Sequence, residues 1–293
     1  MPGNPLKQAE EHLATGAYVQ ARREAERLIA SGGLRGEYLG RAYALAAQAA
    51  FALRDCFGSV RLAEKALAAA GEAANPEILA GLQLILGSAY AALGDPHQAR
   101  QHLGAFLERV PSTSVPAGWV ASAHRHLGLA LRQQRAWRQA SAEFDLAAEL
   151  LGAAGQEREQ ASAQLDSAWC LFMAGQPEEA ALRIEQAGEY GLRSQDPELT
   201  ADLLCHKALL CRHRGDLAGA AALCQEVFIP GKPGVGAEQQ ALAAWIAGEC
   251  ALDLVRREEA EFFANLALSH ALAAGRPSLM NLAGDLRRRL LAK

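Results

Sequence analysis

The sequence predicts an all-α fold made of repeated helix pairs, and three observations carry that prediction. A small residue recurs at intervals of 38 to 41 residues, at Ala21, Ser59, Ala99, Ala140, Ala180, Ala220 and Ala260. Twelve positions before each of these stands a glycine or an alanine, at Ala9, Ala47, Gly87, Gly128, Ala168, Ala208 and Gly248. Alanine and leucine dominate and β-branched residues are few, which favours helix along the whole chain. A steady repeat favours one solenoid over residues 1–293 rather than separate compact domains.

Each repeat is expected to hold two antiparallel helices joined by a tight turn. A small residue on each helix lets the two backbones approach, and larger neighbours fill the grooves beside the crossing. The turn position is occupied in order by Gly16, Arg54, Gly94, Arg135, Gly175, Gly215 and Val255. The four glycines are good helix-end signals, because glycine readily adopts the left-handed conformation that ends a helix.

The boundaries follow from caps and breakers along the chain. The predicted pairs span approximately 4–33, 36–71, 75–111, 117–152, 156–190, 196–229 and 237–274, with a capping helix at 276–292. Asn75 is expected to be an N-cap, with Pro76 at the first helical position. The proline-bounded segment 111–116 is either a hinge or a slightly longer loop, and the loop is favoured.

One stretch carries a recognisable motif. Residues 83–111 read QLILGSAYAALGDPHQARQHLGAFLERVP, with Leu86-Gly87 followed by Tyr90, and Ala99 followed by Leu103, Phe106 and a proline stop. This passage resembles a tetratricopeptide repeat (TPR), with glutamine where the leading aromatic residue usually stands. The likeness extends over essentially the whole chain, although the period is close to 40 rather than 34 residues. It implies a right-handed α-solenoid of seven TPR-like helix pairs plus the C-terminal capping helix.

Composition narrows the class of function. The net charge of −4 does not favour direct binding of nucleic acid. The first residues lack a signal-peptide core, and no run of eighteen apolar residues predicts a membrane span. The six cysteines fall in predicted helices, several at packing positions, which indicates reduced thiols and a cytoplasmic protein.

The sequence offers little catalytic or metal-binding chemistry. His124 and His126 point in different directions on a helix, and His206, His213 and the nearby cysteines lack zinc spacing. The loop at 228–236 superficially resembles a phosphate-binding loop, but Lys232 is followed by proline and no strand precedes it. We therefore expect a non-enzymatic protein without cofactor or metal.

The resemblance implies that the first helices of the pairs line a concave groove. In the C-terminal half, that surface is expected to carry arginines, large apolar residues and a carboxylate. They are Arg125, Arg132, Trp169, Phe172, Leu209, Arg212, Trp245 and Glu249. Tryptophan and arginine anchor many protein contacts, and arginine grips carboxylates. These residues predict a protein or peptide partner with apolar anchors and acidic flanks. The alternative is that they pack against the longer second helices, or that the C-terminal helix fills the groove.

Three functions remain open from the sequence. The first is a binding scaffold or adaptor, the second is a peptide- or ligand-responsive sensor in a bacterial signalling system, and the third is a self-assembling structural protein. His126 and His213 are expected to tune binding below pH 7 if they are exposed. The TPR grip on a chaperone's C-terminal carboxylate does not carry over, because it needs asparagines that this surface lacks.

Overall fold

A computed structural model describes residues 4–71, 75–112, 114–228 and 235–292. Within them the chain forms fifteen α-helices and a 3-10 turn at Val110–Ser112. The helices are α1 (Lys7–Ala14), α2 (Tyr18–Ala30), α3 (Gly36–Ala52), α4 (Cys56–Ala70), α5 (Pro76–Leu93), α6 (Pro96–Arg109), α7 (Ala117–Gln133), α8 (Trp137–Ala153), α9 (Glu157–Met173), α10 (Pro177–Ser194), α11 (Pro197–His213), α12 (Leu217–Val227), α13 (Ala237–Asp253), α14 (Arg257–Ala274) and α15 (Pro277–Leu291). They form the seven predicted pairs and the capping helix.

The chain divides into two compact units, Met1–Leu150 and Leu151–Lys293, which we call unit 1 and unit 2. Consecutive helices pack against each other within each unit, as α3 does on α4 and α13 on α14. First helices of successive pairs also touch: α1, α3, α5 and α7 in unit 1, and α9, α11, α13 and α15 in unit 2. The core is small-residue rich, with buried alanines at most crossings.

Paired small and large residues set the closeness of each crossing. A Cβ added to Gly87 would lie 2.5 Å from Leu103, and one added to Gly128 would lie 3.0 Å from Phe144. Where the first helix instead carries alanine, the corresponding position of the second helix holds Ala25, Ala63, Ile184 or Cys224, and all four are buried. The sequence pattern therefore reflects a volume match, in which a glycine makes room for a bulky partner.

All seven predicted turn residues take the left-handed conformation, including the three that are not glycine. Arg54, Arg135 and Val255 have φ of 65°, 59° and 62°, close to the glycine turns. The geometry of the pair, rather than residue preference, thus ends each first helix. The predicted cap is confirmed: Asn75 accepts a 2.8 Å hydrogen bond from the Glu77 backbone N–H.

Among the described residues, one helix, α5, is long and apolar enough to cross a membrane by length and composition alone, although the sequence has no unbroken run of eighteen apolar residues. Leu82 and Leu86 of α5 are nearly fully buried in unit 1, where the helix packs against α3, α4, α6 and α7. It is packed as a core helix.

Two sequence expectations fall partly on undescribed residues. Residue 113, in the segment 111–116 expected to be a loop or a hinge, and residues 229–234, in the loop compared with a phosphate-binding loop, lie outside the described residues.

Candidate functional site

In unit 2 the first helices α9, α11, α13 and α15 lie side by side and form one surface, which we call the first-helix face. The face places six of the eight predicted site residues in one connected cluster: Trp169, Phe172, Leu209, Arg212, Trp245 and Glu249. Arg125 and Arg132 belong to α7 of unit 1. The predicted residues thus fall into two groups, one in each unit.

An aromatic cluster spans the centre of this face. The ring of Trp169 lies edge-on to that of Trp245, with centroids 6.0 Å apart, and also meets the His206 ring at 6.4 Å. Phe172 meets the exposed ring of His213 at 5.8 Å. Trp169 and Phe172 are partly buried and pack on a core that includes Leu209. Edge-to-face pairs of this kind hold each ring in place, so the cluster is a rigid apolar surface.

The predicted residues differ in how much of them reaches solvent. Leu209 is 2% exposed and Trp245 is 9% exposed, so both are largely core. Trp169, Phe172 and Arg212 keep more of their surface accessible. Leu209 therefore supports the face from beneath, while Trp169 and Phe172 present it to solvent.

A buried carboxylate joins three helices at one end of the face. Glu249 of α13 is 4% exposed and accepts a 2.9 Å hydrogen bond from Arg212 of α11. Its other oxygen accepts from Arg289 of the capping helix. Arg212 also donates to Asp253 at 2.8 Å, at the solvent edge. A buried carboxylate needs such partners, so this ion-paired cluster fixes α11, α13 and α15 together.

Next to Glu249 the face opens into a pocket of about 400 Å³. It is lined by Trp245, Glu249, Leu282, Asp285, Arg288 and Arg289. Three of these are the residues found 40 positions after the face positions of α13: Leu282 follows Leu242, Asp285 follows Trp245, and Arg289 follows Glu249. The capping helix thus continues the first-helix series, and the pocket lies between the last two members.

The carboxyl group of Asp202, on α11, has a raised pKa. Burial, and after it the negative charges of Glu238, Asp166 and Glu198, together raise the pKa of Asp202 to about 7. A hydrogen bond from Gln239 opposes the shift. The Asp202 backbone carbonyl accepts from the His206 ring at 2.7 Å. Asp202 therefore titrates near neutral pH beside the aromatic cluster.

In unit 1, α7 carries the remaining predicted residues. The Arg132 guanidinium lies 6.0 Å from the centroid of the Phe144 ring, and Arg125 is partly buried. The expectation that His126 responds below pH 7 is wrong for this residue. Burial lowers the pKa of His126 to about 4, assisted by the charge of Arg125 and opposed by a hydrogen bond to the Ser122 carbonyl. His126 packs edge-on to Phe51 and stays neutral until strongly acidic pH.

Cysteines and metal-ligating residues add no site in the described ranges. Four of the six cysteines are buried and all six are free thiols. Burial raises the pKa of Cys224 to about 12 and that of Cys250 to about 11, so these thiols are poor nucleophiles. Among the residues that the structure describes, no group of three or more His, Cys, Asp or Glu side chains is placed to hold a metal ion.

The contribution of the capping helix was not predicted from the sequence. In the structure Arg289 of this helix donates a hydrogen bond to buried Glu249. The signal was available, because Arg289 stands one 40-residue period after Glu249. Asp202 could not have been singled out, since its pKa depends on carboxylates from neighbouring helices.

No protein-family model and no curated protein sequence matches the chain. Solved structures do match. NprR in complex with its cognate peptide NprX has 15% identity and a TM-score of 0.72, covering 98% of this chain and 82% of that one. A tetratricopeptide repeat protein from Parabacteroides merdae has 18% identity and a TM-score of 0.62, covering 95% of this chain and 96% of that one. The apo form of RapI has 12% identity and a TM-score of 0.63, covering 93% and 81%.

These likenesses establish the class of fold. The chain is a TPR-like helical-repeat protein, and the predicted all-α solenoid of seven helix pairs with a capping helix is confirmed. The sequence identities to these structures are below one fifth, so the likeness shows the fold alone. The function has to be argued from the residues of the site.

Proposed function

We propose that this protein is a non-catalytic, cytoplasmic scaffold or adaptor that binds a protein or peptide segment on the first-helix face of unit 2. The aromatic cluster carries this proposal. Trp169 and Phe172 keep part of their surface accessible, and the rings of Trp169 and Trp245 hold each other edge-on. Large rigid rings over a packed core anchor partners at little entropic cost. The likeness to NprR, which was solved with its cognate peptide, supports a peptide as the partner.

The proposed partner combines apolar anchors with acidic flanks. Its apolar side chains would lie on Trp169 and Phe172, supported by Leu209 and Trp245. Arg212, beside Glu249, is 23% exposed and can take a further acceptor. On unit 1, Arg125 and Arg132 are proposed as a separate anchoring surface for acidic residues. The cytoplasmic location is supported by the six free thiols.

A second candidate is a peptide- or ligand-responsive regulatory sensor. Its specific support is the likeness to the quorum sensor NprR of B. thuringiensis, which has 16% identity and a TM-score of 0.70 over 97% of this chain and 80% of that one. A sensor changes conformation when its ligand binds, whereas a scaffold need not. The two candidates therefore share a ligand class and differ in response.

The decisive experiment selects binding peptides by phage display and measures their affinity by calorimetry. Trp169→Ala and Phe172→Ala are each expected to weaken binding by about tenfold or more, because exposed aromatic anchors dominate such contacts. The control is Phe262→Ala on the second helix α14, where the ring is 62% exposed and lies off the first-helix face. Equal affinity of all three variants and the wild type would place binding elsewhere.

Solution scattering separates the remaining alternatives. With the selected peptide, a sensor should change both its small-angle scattering and its hydrogen exchange away from the first-helix face, whereas a scaffold should change its hydrogen exchange only on that face. Light scattering over a concentration series tests self-assembly, because a growing mass without peptide would favour a structural role.

A further inference from the structure

The pocket beside Glu249 is lined by both apolar and hydrogen-bonding side chains, as a ligand site requires. Trp245 and Leu282 provide apolar surface, and Arg288 and Arg289 provide hydrogen-bond donors. Its volume of about 400 Å³ lies within the range of small-ligand sites. It is formed entirely by α13 and α15 of unit 2, on the same face as the aromatic cluster.

The charged groups at the pocket are arranged around one buried carboxylate. Two guanidinium groups, Arg212 and Arg289, meet one buried carboxylate, Glu249, whose side chain is 5% exposed. The second carboxylate on Arg212 is Asp253, which is 42% exposed and therefore screened by water. Burial lowers the pKa of Arg289, and the positive charge of Arg212 adds to this effect. The charges of the site balance, with three guanidiniums (Arg212, Arg288 and Arg289) against three carboxylates (Glu249, Asp253 and Asp285), and only Glu249 is buried.

Arg289 is held in place by one hydrogen bond and keeps further N–H donors for a ligand. Its Nη2 donates to Glu249, while the side chain remains 51% exposed and lines the pocket. A guanidinium has five N–H donors in a planar fork that suits a carboxylate. At the rim, Arg288 is 77% exposed and pairs with Asp285 through a contact that water screens.

We propose that this pocket binds a ligand carboxylate next to an apolar group. The carboxylate pairs with Arg289 and Arg288, and the apolar group lies between Trp245 and Leu282. In a peptide partner the carboxylate is either the chain terminus or an Asp or Glu side chain. This inference rests on the proposed peptide-binding function and extends it by naming a second, ionic anchor at the end of the face.

The first test uses acetyl-leucine, a carboxylate with one apolar side chain, and its neutral analogue acetyl-leucinamide. Ligand-observed NMR titration of the intact protein should show saturable binding of acetyl-leucine and at least about tenfold weaker binding of the amide, because charge-assisted bonds to arginine are lost. Equal binding of the two compounds, or binding of neither, would overturn the proposal.

The variants are expected to change the affinity for acetyl-leucine in opposite directions, and misfolding could only lower it. Arg289→Gln and Arg288→Gln should each weaken acetyl-leucine binding, whereas the neighbouring exposed Arg287→Gln, which lies off the pocket, should leave it unchanged. Asp285→Asn should tighten binding by about threefold or more, because it removes a competing carboxylate from Arg288 and lowers the negative potential of the rim. Unchanged or weaker binding by Asp285→Asn would contradict the assignment.

Two blocked dipeptides identify the source of the carboxylate. Acetyl-Ala-Leu carries only a terminal carboxylate, and acetyl-Leu-Asp-amide carries only a side-chain carboxylate. The dipeptide that binds the wild type, and binds Arg289→Gln more weakly, identifies the kind of carboxylate that the pocket takes. If neither dipeptide binds, the carboxylate assignment is refuted.

The outcomes also separate this inference from the proposed function. If the selected peptides bind through Trp169 while acetyl-leucine does not bind, the pocket inference fails and the proposed function stands. If acetyl-leucine binds with the expected variant pattern and no peptide binds, the pocket is real and the peptide function fails.

Discussion

At the scale of single residues, Asp202 shows how a solenoid interior changes acidity. Its carboxyl lies near Glu238, Asp166 and Glu198, which come from three different helices. Burial opposes the charged form, and these like charges oppose it further. The pKa of Asp202 is therefore about 7 in the folded protein, against an ordinary value of 3.8.

This shift predicts a pH dependence of stability. Because the folded pKa of Asp202 is raised, its contribution is fully present below about pH 4 and is lost as pH rises through about 7. Asp202→Asn should therefore be more stable than the wild type at pH 8, by about 1–3 kcal/mol, with the difference shrinking towards pH 4. Urea unfolding at pH 4, 6 and 8 measures it.

The matched control for that series is Glu185→Gln, which neutralises an exposed carboxylate on α10. Subtracting the result for Glu185→Gln corrects the Asp202→Asn series for the general effect of replacing a carboxylate by an amide. A constant offset for Asp202→Asn over the same range would show that its pKa is not raised.

Leu209 and Glu249 are the least exposed of the predicted site residues, at 2% and 4%. Both occupy positions that the repeat aligns with a groove, yet the neighbouring first helices cover them. A sequence register gives the direction of a side chain, but its exposure depends on how closely the next helix packs.

At the scale of elements, the ends of the first helices follow from pair geometry. Val255 is 87% exposed and has a φ of 62°, so it gains no packing that would offset its strained backbone. For a β-branched residue the left-handed region is costly, by about 1–2 kcal/mol. Arg54 and Arg135 adopt the same region in unit 1.

Val255→Gly should therefore stabilise the protein by about 1 kcal/mol, because glycine adopts this conformation without strain. The reciprocal change, Gly215→Val, should destabilise it, since Gly215 has a φ of 82° and its added Cβ would meet no neighbour. Thermal and urea unfolding measure both. A destabilised Val255→Gly protein would mean that the valine side chain contributes more than the backbone strain costs.

Glycine and alanine at the crossings also have an element-level explanation. Gly87 and Gly128 face Leu103 and Phe144 on their partner helices. Gly248 is the exception, because its partner position holds Ala264 and the space is taken instead by Leu286 of α15, 2.7 Å from an added Cβ. The capping helix therefore completes the seventh crossing.

At the scale of the whole molecule, the two compact units each carry their own core and their own predicted residues. In unit 2 the last helix closes the core, with Ala283, Leu286 and Leu290 almost fully buried. Solenoid repeats bury their apolar faces only against neighbours, so the last one needs a cap.

Ending the chain after Gly275 tests this dependence. Loss of three buried apolar side chains and of the Arg289 contact to Glu249 should lower the free energy of unfolding by about 3–6 kcal/mol. Tryptophan fluorescence should shift to the red as Trp245 becomes exposed. A chain lacking only residues 292–293 is the control, and equal stability of the two truncated chains would show that α15 is not part of the core.

The repeat, the seven helix pairs and the capping helix could be predicted from the sequence alone, because they depend on local signals such as small residues every 40 positions and caps at helix ends. α10 runs to Ser194, a few residues past its predicted end near residue 190.

Three features are seen only in the folded protein: the exposure of each site residue, the pairing of Glu249 with both Arg212 and Arg289, and the pocket beside them. The burial of a side chain and the charge around it depend on helices some 40 residues apart in the chain, and a local pattern cannot report the distance between them.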